Sequence, residues 1–117
     1  MKGDVYGDYI RDYAAASPET WVNNSSGQAS QFGFGITNGS LSAANTATGY
    51  TSCSSADSCF AKAPTTTPKT IVTVGTHTPI GGDTFTLKFR VHIPANSSPL
   101  VTEDWYTATT TVTTVAL

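Results

Sequence analysis

Three stretches of this chain alternate apolar and polar residues with a period of two. The clearest is residues 83–93, DTFTLKFRVHI: Phe85, Leu87, Phe89, Val91 and Ile93 fall on one parity, and Thr84, Thr86, Lys88, Arg90 and His92 on the other. A pleated strand points successive side chains to opposite faces, so the pattern predicts a strand with one buried and one wet face. Gly81-Gly82 precedes it and Pro94, which has no N–H to donate, ends it. The second stretch, residues 31–37, places Phe32, Phe34 and Ile36 on one face and leaves Gly33 and Gly35 on the other. A bare glycine face in a strand implies that a backbone or an aromatic ring packs closely there. The third, residues 105–115, is WYTATTTVTTV. Tyr106, Ala108, Thr110 and Val112 share one parity, with Trp105 and Thr107 on the other. A connector of about ten residues lets this last strand return antiparallel beside 83–93, and the two are expected to form the longest hairpin of the sheet.

Between these stretches the signals are weaker. Residues 69–74, KTIVTV, are β-branched between Pro68 and Gly75 and predict a further strand. Residues 40–68 are small and polar, too long a loop for a compact domain. The expectation is a short strand within it, near 48–52 or 58–61. Near the N-terminus, Tyr6, Tyr9, Ile10 and Tyr13 sit at helical offsets with Asp4, Asp8 and Asp12 on another face. That spacing favours a short helix or irregular cover over residues 4–16, with an edge strand near 5–9 as the alternative. Ser17-Pro18-Glu19 carries a helix-start signature that fits a turn equally.

Composition narrows the setting. The 117 residues carry a net charge of −2 and only 12% charged residues, so nucleic acid and anionic membrane surfaces, which call for a basic face, are not expected partners. Solubility rests instead on 21 Thr and 12 Ser. Threonine fits a half-exposed strand, its β-branch in the pleat and its hydroxyl in water. There is no apolar run long enough to span a membrane. Met1-Lys2-Gly3-Asp4 leads straight into polar residues without a signal-peptide layout. Both ends read as cuts, so the expectation is a single domain over 1–117 taken from a longer secreted chain. Cys53 and Cys59 bracket CSSADSC, a spacing that reaches disulfide distance in an oxidising compartment. Free thiols and metal binding are the alternatives. A zinc site would need His77 and His92 as well, at no recognised spacing.

The segment TFTLKFRVHIPANSS, a polar linker, and then WYTATTTVT resembles the closing hairpin of secreted β-sandwich domains on bacterial cell surfaces, with immunoglobulin-like or pilin-like folds, from surface-anchored or filament-forming proteins. The QFGFGI segment over 31–36 is also similar. The likeness covers residues 31–37 and 83–114, and Thr-rich alternation recurs in other sandwiches. It implies an antiparallel sandwich and an extracellular setting, and it carries no catalytic motif. Such sandwiches have about seven strands and four are legible here, which implies an incomplete domain or one completed by a partner's strand.

Candidate chemistry is sparse. No serine lies in a G-x-S-x-G elbow, and the adjacent Glu103 and Asp104 point to opposite faces of an extended chain and cannot flank one bond. His92 reads as a polar residue on a wet strand face. Asp4, Asp8 and Asp12 lack the spacing of a calcium loop, so no metal, cofactor or catalytic residue is expected. Lys69, Lys88 and Arg90 raise the question of a side-chain amide crosslink, which the polar parity of Lys88 weakens. Sequons at Asn23, Asn24, Asn38 and Asn96 match glycosylation sites in loops. Trp21, Trp105 and Tyr106 are candidate sugar platforms, with ordinary packing as the competing role. The terminal strand, through Tyr106, Ala108, Thr110 and Val112, is the candidate assembly strand, because nothing charged blunts its edge. The expected function is therefore structural assembly or adhesion by edge pairing, with self-association or neighbouring domains of the same surface protein as partners. A carbohydrate-binding module is the alternative.

Overall fold

A computed structural model describes residues 1–3, 8–37, 45–47, 59–64, 67–75, 77 and 79–114, with the side chains of 2, 3 and 45–47 left aside. Among the described residues there are nine strands and no helix. The strands are β1 (Lys2–Gly3), β2 (Arg11–Asp12), β3 (Glu19–Thr20), β4 (Gln31–Thr37), β5 (Asn45–Ala47), β6 (Cys59–Phe60), β7 (Val72–Val74), β8 (Thr86–His92) and β9 (Tyr106–Thr107). The main sheet has the order β2-β4-β8, and three two-stranded pairings join β1 to β9, β3 to β6 and β5 to β7.

The organising element is β4, and its sequence explains why. Gln31 through Ile36 are all buried, which requires cover on both faces. One face carries Phe34 and Ile36, which pack with Cys59 and Ala61 and, around them, Ala63, Ile71, Phe85 and Leu87. The other face is the glycine face. A Cβ placed on Gly33 would lie 2.8 Å from Trp21 Cζ3 and 3.1 Å from the Ala61 carbonyl oxygen. One placed on Gly35 would collide with the Cys59 carbonyl oxygen. The two glycines thus let the chain at 59–61 and the Trp21 ring sit directly on the strand. The close approach expected from the bare face is present.

Around those glycines Tyr13, Trp21 and Phe60 form a second small core. Tyr13 and Trp21 stack with centroids 4.4 Å apart, and Phe60 meets Trp21 edge-on at 5.4 Å. Arg90, paired with Gly33 across the sheet, lays its guanidinium 5.0 Å from the Trp21 ring centroid. Aromatic and cation–π contacts of this kind each add to the area buried. The Tyr13 hydroxyl donates to Glu19 Oε1 at 2.8 Å and accepts the Val22 N–H at 3.1 Å, so its polar tip is satisfied under the aromatic layer. Burial is the main cause that raises its pKa.

Several expectations are corrected. Residues 8–21 hold no helix: Arg11–Asp12 pairs parallel with Gln31–Phe32, and Glu19–Thr20 pairs antiparallel with Cys59–Phe60. Ile10, Tyr13 and Trp21 are buried here, and Tyr13 and Trp21 pack with Phe60 of β6 beside Gly33 of β4, so tertiary packing overrides the local helical spacing. The main sheet is accordingly mixed, with one parallel pair. The strand at 83–93 is present as β8, but its apolar face is covered at one end only. Phe85 and Leu87 pack on the core, whereas Phe89, Val91 and Ile93 are 52%, 44% and 48% exposed. The long hairpin with the terminal strand is absent. The partner of β8 is β4, in register from Gln31↔His92 to Thr37↔Thr86, and β9 is two residues long and pairs with β1. Residues 108–114 form no strand and are exposed throughout. With Ala108 and Val112 as its only apolar side chains, that segment has too little to bury to compete for β8. The short strand sought in the long loop is found at β6, while the alternative at 48–52 lies outside the described residues.

The glycine face gives a direct test. Gly35→Ala should destabilise the domain by about 1–3 kcal/mol, the usual range for overpacking a filled site. Gly81→Ala, where an added Cβ meets nothing within 4 Å, should change stability by less than about 0.5 kcal/mol. Urea denaturation of the two variants measures both.

Candidate functional site

The open side of β8 follows from the hydrogen bonding of β4. Opposed residues of an antiparallel pair alternate between exchanging both backbone bonds and exchanging none. Phe34 exchanges both of its bonds with Ala61, at 3.0 and 2.9 Å, and the Phe32 carbonyl accepts the Tyr13 N–H at 2.7 Å. These groups face away from β8. The pairs Phe34↔Phe89 and Phe32↔Val91 are therefore the non-bonded ones. By alternation the backbone N–H and C=O of Leu87, Phe89 and Val91 point outward from the sheet. Among the described residues no strand lies beyond β8.

The same positions carry the uncovered apolar side chains. Phe89 stacks on Phe32 with parallel rings 6.0 Å apart, which fixes it against the sheet while half of its surface stays in water. Val91 and Ile93 continue the stripe. The opposite face of β8 is occupied. Arg90 caps the aromatic layer, and His92 Nε2 donates to the Asn24 carbonyl at 3.0 Å. The site is thus an edge with unpaired backbone groups beside a half-wet apolar row, which is what an added strand needs.

Beside the chain that leads into β2, the segment around β9 is latched. Asp8 Oδ2 accepts the Thr102 N–H at 2.8 Å, the Thr102 hydroxyl at 2.7 Å and the Tyr106 hydroxyl at 2.7 Å. The Tyr106 hydroxyl also lies 2.9 Å from the Thr102 carbonyl oxygen. The Thr102 amide, then the two hydroxyls, hold the Asp8 carboxyl below its usual pKa. Burial, then the bond to Asp8, raises that of Tyr106. No sequence spacing announces this cluster, because its members are some ninety residues apart, and the sequence pattern groups Asp8 with Asp4 and Asp12 on one helical face instead.

The residues proposed from the sequence scatter. Trp21 is buried between Tyr13 and Phe60, with Nε1 donating to Asn23 Oδ1 at 2.6 Å, and offers no open ring to a sugar. Trp105 is 84% exposed, while Tyr106 is half-buried with its hydroxyl engaged. The three do not form one platform. Of the assembly residues, Tyr106 lies in β9 and Ala108, Thr110 and Val112 lie in the exposed segment beyond it. Cys59 is 1% exposed and disulfide-bonded, and no free cysteine occurs among the described residues; Cys53 lies outside them. No group of three or more metal-ligating side chains and no helix fit to cross a membrane occurs among the described residues. Lys69 Nζ donates to the Ala16 carbonyl at 2.8 Å. Comparison with protein families, curated proteins and solved structures finds no match.

The latch has a pH signature. A depressed carboxylate pKa contributes stability in full above the unfolded value, about 4, and loses it as pH falls through the lower folded value. The Thr102 amide resonance should therefore titrate with an apparent pKa below 3.8, the ordinary aspartate value. Asp8→Asn should remove that titration and lower the thermal midpoint at pH 7.

Proposed function

We propose that this domain is a structural assembly or adhesion module of an extracellular surface or filament protein, working by pairing β8 with a strand from a neighbour. The observation that carries the reading is the outward backbone edge of Leu87, Phe89 and Val91 beside the exposed stripe of Phe89, Val91 and Ile93. Native proteins blunt such edges with charge, proline or a covering loop. Among the described residues this one has no covering strand, its proline, Pro94, comes after the strand has ended, and its two charges, Lys88 and Arg90, lie on the face opposite the apolar stripe. Finishing the burial of three half-covered side chains supplies about 1 kcal/mol each, to which the backbone bonds add. That is a modest association, suited to tethered or concentrated copies.

The strand-rich architecture is read as an incomplete, mainly antiparallel sandwich, immunoglobulin-like or pilin-like in kind. On this reading β2-β4-β8 is one sheet, the β3–β6 pair joins the edge of β4 through the Phe34–Ala61 bonds, and the Tyr13, Trp21 and Phe60 side chains cover the glycine face. The extracellular setting draws on the Thr-rich, charge-poor surface and on the disulfide at Cys59, since disulfides persist in oxidising compartments. Cys53 is the only other cysteine in the sequence and is its proposed partner. A carbohydrate-binding role retains one supporting observation, the open ring of Trp105.

Light scattering over a concentration series tests the assembly reading. The average mass of the full chain should rise with concentration, and Phe89→Lys, which puts a charge on the edge, should hold it at the monomer value. A full chain that stays monomeric throughout contradicts edge-mediated assembly. Quenching or enhancement of Trp105 fluorescence by a glycan, absent in Trp105→Ala, would favour the sugar-binding reading instead.

A further inference from the structure

Resting on that reading, we infer that the strand β8 accepts is residues 108–114 of a second copy of this chain, so that copies join head to tail. Three observations converge on this occupant. The first is availability: residues 108–114 are exposed, form no strand and make no hydrogen bond among the described residues. The second is fit. The segment ATTTVTT has seven residues, the length of β8, and carries neither charge, proline nor glycine. Its alternation places Ala108, Thr110 and Val112 on one face, small and β-branched groups suited to lie beside Phe89 and Val91.

The third is position, and it decides between one chain and two. β9, from which the segment emerges, pairs with β1. Met1 N donates to the Ile10 carbonyl at 2.9 Å and Ile10 N to the Met1 carbonyl at 2.8 Å, which joins β1 to the chain entering β2. β2 forms the edge of the main sheet opposite β8. The latch of Asp8 on Thr102 and Tyr106 fixes the root of the segment on that same side. To reach its own β8 the segment would have to cross at least three strand spacings, about 15 Å. That consumes more than half of the roughly 23 Å that seven extended residues span. A donor on one edge and an acceptor on the other make a heterologous contact, which propagates into an open chain of subunits unless its rotation happens to close.

Two single-defect chains test this. One ends at Thr107 and keeps the acceptor edge. The other carries Val91→Pro, which removes an outward-facing N–H that β4 does not use, a change edge strands tolerate; Phe89→Lys serves as a second acceptor defect. Far-UV circular dichroism confirms that each is folded. The full chain should form species of increasing mass, each defective chain alone should remain monomeric, and an equimolar mixture should give a one-to-one dimer and nothing larger. If the chain ending at Thr107 associates as the full chain does, the donor is not this segment and the inference fails, while pairing at β8 stands. A mixture that stays monomeric also refutes it. A full chain that is monomeric at every concentration removes both the inference and the assembly reading.

Discussion

The close contact between the 59–61 backbone and the glycine face of β4 is the constraint on which the rest of the molecule depends. With no side chain at Gly33 and Gly35, a peptide plane can rest on a strand that is already buried on its other side. That contact fixes β6, and through β6 it fixes β3 and the Trp21 ring. Trp21 in turn positions Tyr13, whose N–H takes the Phe32 carbonyl. One edge of β4 is thereby filled by residues 11–13 and 61, which commits its other edge to β8. How β4 distributes its bonds decides which groups of β8 face outward, and among the described residues no strand meets them.

Strand alternation was legible where it coincided with real partners. Residues 31–37 and 83–93 declared themselves as strands, and the missing side chains at 33 and 35 announced close packing. What the pattern could not convey was which strand would be covered. Five apolar residues in alternation look like a buried face, yet only Phe85 and Leu87 have a layer above them. Burial is decided by neighbours distant in sequence, and alternation reports only the capacity for it. The same limit explains the terminal segment. Its threonines have strand propensity, but propensity without an apolar face does not select a partner.

The N-terminal region failed in the opposite sense. Helical offsets of tyrosines are a weak signal over a dozen residues, because isolated short helices are marginal in water. Here Tyr9 stays exposed and Tyr13 is buried with Trp21 and Phe60, a packing that no helical spacing anticipates. The Asp8 latch was invisible for a simpler reason: its hydrogen bonds join residues from both ends of the chain. Among the candidate sugar platforms, Trp21 is given a different role by the same glycine contact that organises the core. The candidate assembly segment is a strand only over Tyr106–Thr107, and residues 108–114 are exposed and form no strand.

The central claim is that the outer edge of β8 is unpaired within one molecule, and amide hydrogen exchange read residue by residue addresses it most directly. In dilute protein the amide of Arg90, bonded to β4, should be protected, while those of Phe89 and Val91 exchange at close to free-chain rates. At high concentration the Phe89 and Val91 amides should gain protection as the edge is filled. Protection of Phe89 and Val91 in the dilute monomer, equal to that of Arg90, would mean that the molecule covers this edge itself, and would contradict the claim.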